Sequence, residues 1–172
     1  MAKRSAEYFV EHYFLADDGN FPNSALPVLF YKNVLDLPRF FASRYVKRLF
    51  KKHNWSNSWV YGVFEYHHYH SITHEVMGVI EGRTKILLGG PRGLTLTIEK
   101  GDVLIIPAGV AHKNLGKESA VKCVGAYPSG MDYDINYGNA GERPTADKNI
   151  RLVPIPRQDP VFGGRGGLSL YW

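Results

Sequence analysis

The chain has a single cysteine, Cys123, in 172 residues. No internal disulfide can form, so stability has to come from a packed core, which a chain of this length can build. The same scarcity suits a reducing compartment, and the cytoplasm is the expected location. No apolar run approaches the roughly 20 residues that a membrane-crossing helix needs. The opening residues, Met1-Ala2-Lys3-Arg4-Ser5, lead into polar and aromatic sequence instead of an apolar signal core. Acidic residues are missing between Pro38 and His53, where Arg39, Arg44, Lys47, Arg48, Lys51 and Lys52 gather. These six outnumber the net charge of +5. The basicity is therefore local and does not describe the whole domain. Internal repeats and linkers are absent too, so residues 1–172 read as one domain.

Turn formers are plentiful: eighteen glycines and ten prolines separate short apolar runs, the pattern of an all-β domain. Residues 1–36 read as an extended arm, with Tyr8 to Leu15 and Leu26 to Tyr31 as short strands around the turn cluster Asp17-Asp18-Gly19-Asn20. Residues 37–53 read as one amphipathic helix, with Asp36 as N-cap and Pro38 in the first turn. Phe41, Ala42, Tyr45, Val46, Leu49 and Phe50 share one face at helical spacing, and the cations share the other. That basic face is expected to be a solvated surface. A lipid or nucleic-acid patch is the alternative, but no nucleic-acid motif accompanies it, so neither nucleic acid nor membrane is an expected partner. Residues 60–127 read as strands: Val60 to His70, Val76 to Ile80, Arg83 to Leu88, Leu94 to Ile98, Val103 to Ile106 and Val121 to Tyr127. Residues 128–172 are rich in Pro and Gly and read as a tail wrapped over this core.

Four potential metal ligands stand around two turns. His68 and His70 are two apart, so in a strand both point to one face. Glu75 follows across a tight connection, and His112 arrives after Pro107-Ala108-Gly109. Three imidazoles and a carboxylate suit one divalent transition metal (Fe, Mn, Ni, Co, Cu or Zn), and do not suit Ca or Mg. His67 and Tyr69 are expected to face away. Phe64 and Tyr66 are expected to line the interior with the histidines. His74 has two open readings, a group orienting Glu75 or a bound water, or a plain turn residue. Cys123 reads as a small buried apolar residue.

These positions resemble the cupins. Gly62, His68, His70, Glu75 and Gly82 match the first cupin motif, G-x5-H-x-H-x4-E-x6-G, at every spacing. Gly101, Pro107, Gly109 and His112 match the second, G-x5-P-x-G-x2-H-x3-N, whose last position is Gly116 here, with Asn114 two residues earlier. Further segments, Phe21-Pro22-Asn23, His67-His68-Tyr69-His70-Ser71, Thr73-His74-Glu75, Gly125-Ala126-Tyr127-Pro128 and Asp159-Pro160-Val161, resemble the YjlB-type group of cupins. The resemblance implies a jelly-roll barrel with a metal on His68, His70, Glu75 and His112. It does not imply a substrate.

Two functional classes follow. The first is a metal-dependent enzyme acting on a small molecule, with dioxygenase, isomerase or related chemistry, in which Glu75 stays a ligand or acts as a base. The second is a non-catalytic cupin that binds a small ligand or metal as a sensor or store. The lining of the barrel separates them: an enzyme needs polar groups beside open metal positions, a store a filled apolar barrel. A homodimer through the apolar N-terminal arm is also expected, because a jelly roll has strand edges that need cover.

Overall fold

The computed structural model describes residues 9–172, so Tyr8 lies outside the described residues. The elements are β1 (Val10–Leu15), β2 (Ser24–Tyr31), α1 (Ala42–Lys52), β3 (Trp55–Tyr61), β4 (Glu75–Leu88), β5 (Leu94–Glu99), β6 (Val103–Ile106), β7 (His112–Asn114), β8 (Val121–Pro128), α2 (Thr145–Leu152) and α3 (Gly167–Tyr171). The strands pair antiparallel in the order β1-β2-β6-β4-β8-β3. A second sheet grows from the far half of β4, where Arg83–Leu88 pairs with β5, and Ile86–Leu88 with β7. β4 thus runs through both sheets, and it bends at Gly82. There φ is +81°, and a Cβ would lie 2.0 Å from the Ala120 carbonyl oxygen, so only glycine fits the bend.

Two apolar clusters fill the space on either side of the first sheet. Between the sheets lie Phe30, Met77, Val79, Ile86, Leu88, Ile98, Leu104, Ile106 and Cys123. On the outer face Leu29, Tyr31, Val76, Ile105 and Val124 meet Val46 and Phe50 of α1, together with Val161 and Leu168 of the C-terminal segment. Being covered on both faces explains why β6 reads Val-Leu-Ile-Ile without alternation, with all four residues buried. β5 has only one covered face and keeps its alternation. Val46 and Phe50 are fully buried; each contributes about 2 kcal/mol of apolar burial.

Several elements differ from their expected form. The N-terminal segment is no free arm: β1 pairs with β2, and β2 with β6, inside the chain's own sheet. The helix starts at Ala42, not at residue 37. The Leu35 N–H is tied to the Gly101 carbonyl at 2.9 Å, and Phe41 sits at φ 62°, so the chain reaches helical geometry only after it has turned away from the sheet. Asp36 therefore does not cap it, and Phe41 is 78% exposed and does not join the apolar stripe. The run Val60–His70 is not one strand. β3 ends at Tyr61 and the histidines follow in an irregular segment. The expected strands Val76–Ile80 and Arg83–Leu88 are one strand bent at Gly82. The C-terminal segment packs Val161 and Leu168 into the outer cluster and carries α2 and α3, two helices too short for periodicity to stand out.

Candidate metal centre

His68 and His112 sit directly opposite each other in an isolated antiparallel bridge, exchanging both backbone hydrogen bonds at 3.2 and 2.9 Å. Paired residues of this kind present side chains on the same face, and their rings are 4.1 Å apart. His70, two residues on, returns to that face. Its carbonyl accepts the Gly109 N–H at 2.8 Å. Gly109 has φ +94°, and a Cβ there would lie 2.2 Å from the Asn23 carbonyl oxygen, so the bend that delivers His112 needs a glycine. One ligating atom from each of the three buried histidines lies within 4.8 Å of the others, close enough for a single metal ion. Glu75, first residue of β4, is buried beside them, with Oε2 3.5 Å from His70 Nε2 and 3.2 Å from His112 Nε2.

The protonation pattern favours a cation. His68 Nδ1 faces the Tyr66 carbonyl at 3.2 Å, His112 Nδ1 the Val110 carbonyl at 3.1 Å, and His70 Nδ1 the Asp134 carbonyl. A carbonyl can only accept, so each Nδ1 carries the proton and each Nε2 keeps its lone pair. Glu75 Oε2 receives no hydrogen bond. While both rings are neutral, lone pairs from His70, His112 and Glu75 thus converge with no donor among them, an arrangement that either a shared proton, which His70 with its raised pKa takes up readily, or a bound cation relieves. Burial, aided by the neighbouring rings of His112 and His70, pushes His68 down to about 3, which keeps it a neutral ligand. Burial works to raise Glu75, but His70 and His112 outweigh it and hold the carboxyl well below its usual range. The donor set therefore fits a divalent transition metal.

Around these groups stands a second layer. Tyr127 donates to Glu75 Oε1 at 3.1 Å and accepts from Trp59 Nε1 at 2.9 Å. Burial, reinforced by Glu75, raises the Tyr127 pKa strongly, so the hydroxyl remains a donor. Asp134 holds the first histidine loop. Its carboxylate accepts the Ser71 N–H at 2.7 Å and the Ile72 N–H at 3.3 Å, along with the Ser71 hydroxyl. Asn149 of α2 donates to that same hydroxyl at 3.0 Å. Buried Asn23 donates to the Gly89 carbonyl at 3.0 Å and accepts the Ala111 N–H at 3.2 Å, next to His112.

His74 makes a turn contact. Its Nδ1 accepts the Ala108 N–H at 2.9 Å, so it pins the Pro107–Gly109 bend and does not orient Glu75. Burial pushes it down to about 4, so it does this as a neutral ring. His67 points away from the histidine cluster, its ring 5.3 Å from that of Phe21. Tyr69 also faces away, buried, with its hydroxyl 3.0 Å from Glu142. Phe64 lines the cavity as expected. Tyr66 does not: it is 43% exposed, because the chain bends at residues 65–66 and alternation lapses there. Burial pushes the Cys123 thiol up to about 12, which leaves it an inert apolar group. Sequence reading missed Trp59, Tyr127, Tyr133 and Asp134. Aromatics in strands, Trp59 and Tyr127, read as plain core, and a tyrosine or aspartate in a Pro- and Gly-rich tail carries no spacing signal.

A cavity of about 280 Å³ opens directly onto His68, His70, Glu75 and His112. Its remaining walls are mainly aromatic and aliphatic: Trp59, Val60, Tyr61, Val63, Phe64, Met77, Tyr127, Tyr133 and Ile135. A barrel of antiparallel strands with histidines converging at the mouth of such a cavity defines a class, and the comparisons agree. The family model described as Cupin matches residues 63–130. The protein YjlB of Bacillus subtilis (strain 168) is 40% identical over 161 residues, which cover 93% of this chain and 94% of that protein. The chain belongs to the cupin family. Among solved structures it is similar in fold to an acireductone dioxygenase from Bacillus anthracis with a cadmium ion in its active centre (14% identity, TM-score 0.41, 55% of this chain). The chain spans 64% of that protein, just under two thirds of its length. A DUF861 family protein from Thermotoga maritima is 25% identical at TM-score 0.32, over 54% of this chain and 92% of that one.

Proposed function

We propose that this cupin is a metal-dependent enzyme acting on a small molecule, with one divalent transition metal on His68, His70, Glu75 and His112. The observation that carries the reading is the open cavity of about 280 Å³ beside the converging imidazoles. A protein that only stored metal would have no use for that space. The bound metal supplies Lewis acidity, or redox chemistry if it is iron, manganese, cobalt or copper. The chain's own groups do the rest. Glu75 is held through Oε1 by Tyr127 while Oε2 faces the centre, so it serves there as the carboxylate ligand, or as a base only when it is not bound to the metal. The Trp59–Tyr127 pair fixes its orientation. The apolar walls exclude bulk water, which strengthens every polar contact inside. Elemental analysis of purified protein, followed by a ligand screen on the metal-loaded form, tests the reading. One bound metal per chain and a small molecule consumed in a metal-dependent way is the expected result. Absence of metal after reconstitution with each of the six candidate ions overturns it.

The dimer expectation rests on an edge. Among the described residues β1 closes one side of the sheet with no strand beyond it, and Phe9, Phe14, Leu170 and Tyr171 are exposed. We propose that a second copy covers this edge. Light scattering should give twice the chain mass, and a Phe14→Lys variant should give the monomer.

A further inference from the structure

A second, larger hollow of about 1020 Å³ runs along α1 and shares no residue with the cavity at the histidines. Its floor is apolar: half-buried Tyr45 and Leu49 of α1, and Phe162 beside buried Val161. Its rim is cationic, for Arg44, Arg48 and Lys52 all line it and all are exposed to solvent. Among the described residues no carboxylate lines it, and none of the three cations is in an ion pair. The rim charge is therefore uncompensated within the chain. At one end Phe40 and Phe41 also line the hollow, although they are 67% and 78% exposed. Phe41 holds a left-handed backbone, φ 62°, a costly conformation for a bulky residue that gains no burial from it.

The spacing of the cations selects an occupant. Four residues of helix set Arg44, Arg48 and Lys52 about 6 Å apart along the axis. An extended chain repeats its same-face side chains about every 6.7 Å. Carboxylates at alternate positions of such a chain meet the three cations nearly in register, and guanidinium groups pair with carboxylates through two parallel hydrogen bonds. A bilayer surface is planar and does not reach the floor of a hollow. Three cations neutralise too few phosphates to hold a nucleic-acid strand firmly.

We propose that this hollow docks an extended acidic segment of a partner protein, with carboxylates at alternate positions and apolar side chains among them. The carboxylates pair with Arg44, Arg48 and Lys52, and the apolar side chains cover Phe41 and the floor.

Fluorescence anisotropy of short labelled peptides with the full chain tests this. In the first peptide three glutamates alternate with leucines. In the second the same residues are reordered so that the glutamates are adjacent. In the third glutamine replaces glutamate. The alternating peptide should bind in a salt-sensitive way, about threefold tighter than the reordered one and more than about tenfold tighter than the glutamine one. Arg44→Gln together with Arg48→Gln should weaken it about tenfold, with the circular dichroism of the wild type, since both side chains are exposed. Lys47→Gln, outside the hollow, should leave it unchanged. Equal binding of the three peptides, no loss in the double arginine variant, or no binding of the alternating peptide overturns the proposal. Tighter binding of phosphatidylserine–phosphatidylcholine vesicles or of an oligothymidine strand also overturns it, and makes a membrane or a nucleic acid the occupant instead.

Discussion

Asp159 and Glu75 are both buried carboxylates, and their surroundings are opposites. Asp159 is fully engaged by neutral donors. Oδ1 accepts the N–H groups of Val161 at 2.9 Å and Phe162 at 3.1 Å, and Oδ2 accepts the Tyr31 hydroxyl at 2.5 Å and the Leu168 N–H at 3.4 Å. Burial raises its pKa against those bonds. Glu75 has one donor, Tyr127, and its other oxygen faces ring nitrogens whose lone pairs point inward. Burial acts on both acids alike, yet Glu75 is driven down, because imidazoles can share a proton or a metal with it and backbone amides cannot. Asp159 is a clasp holding the C-terminal segment to β2. Glu75 stands beside three histidines that could hold a metal ion. Burial alone does not separate a structural acid from a functional one; the partners of the second oxygen do.

The largest effects should come from the cation site. His68→Ala and His112→Ala should each lose metal almost entirely by elemental analysis, despite their distance in sequence, while His67→Ala keeps it. A metal-free variant that resembles wild type in every binding assay would sink the comparison at once. Metal at about a hundred times its dissociation constant should stabilise the wild type by about 3 kcal/mol in thermal or denaturant unfolding. The gain should shrink as pH falls through the imidazole range, because protons compete for the same nitrogens.

Asp159→Ala should cost about 3 kcal/mol with or without metal, since it leaves several buried donors unpaired. Its pH behaviour sharpens the contrast. The folded pKa lies above the unfolded value near 3.8, so the folded state holds this proton more tightly. Its stabilising share is full below the unfolded pKa and falls as pH rises through the folded one. Asp159→Asn should flatten that part of the stability-against-pH curve. Glu75→Gln should show no such clasp behaviour and should affect chiefly metal affinity.

The two faces of α1 give the next test. Leu49 packs against the outer apolar cluster, so Leu49→Asp should cost about 2 kcal/mol of folding free energy. Changing Lys47, Lys51 and Lys52 together to Gln should shift stability by less than about 0.5 kcal/mol. Tight, salt-sensitive binding of DNA or RNA by the wild type would contradict the reading of that face as solvated. Tyr127→Phe removes the single side-chain donor to Glu75 and should weaken metal binding about tenfold without unfolding the protein, read as a shift in the metal-titration midpoint.

Much of the site was legible because its chemistry is written in residue types that have few other reasons to recur at such spacing. His68, His70, Glu75 and His112 meet in space as their spacing implied, although the strand invoked to explain the pairing is not there. His68 and His70 share a face because His68 bridges to His112 and Gly109 anchors His70, not because residues 60–70 form a continuous strand. β7 escaped notice because three residues, His112–Asn114, hold no alternation to read. The role of His74 stayed open for the same kind of reason: its partner, the Ala108 N–H, is thirty-four residues away.

The sequence by itself determined the strand-rich architecture, the apolar stripe of α1 and the four converging candidate ligands. Those features follow from local periodicity and from residue chemistry at short or motif-length separations. Only the tertiary structure decided that the N-terminal strands complete the chain's own sheet, that Tyr127 and Asp134 hold Glu75 and the first histidine loop, and that the cavity beside the histidines has mainly apolar walls with no lysine or arginine among the described residues. Each of these depends on contacts between residues tens of positions apart, which packing selects and no short pattern encodes.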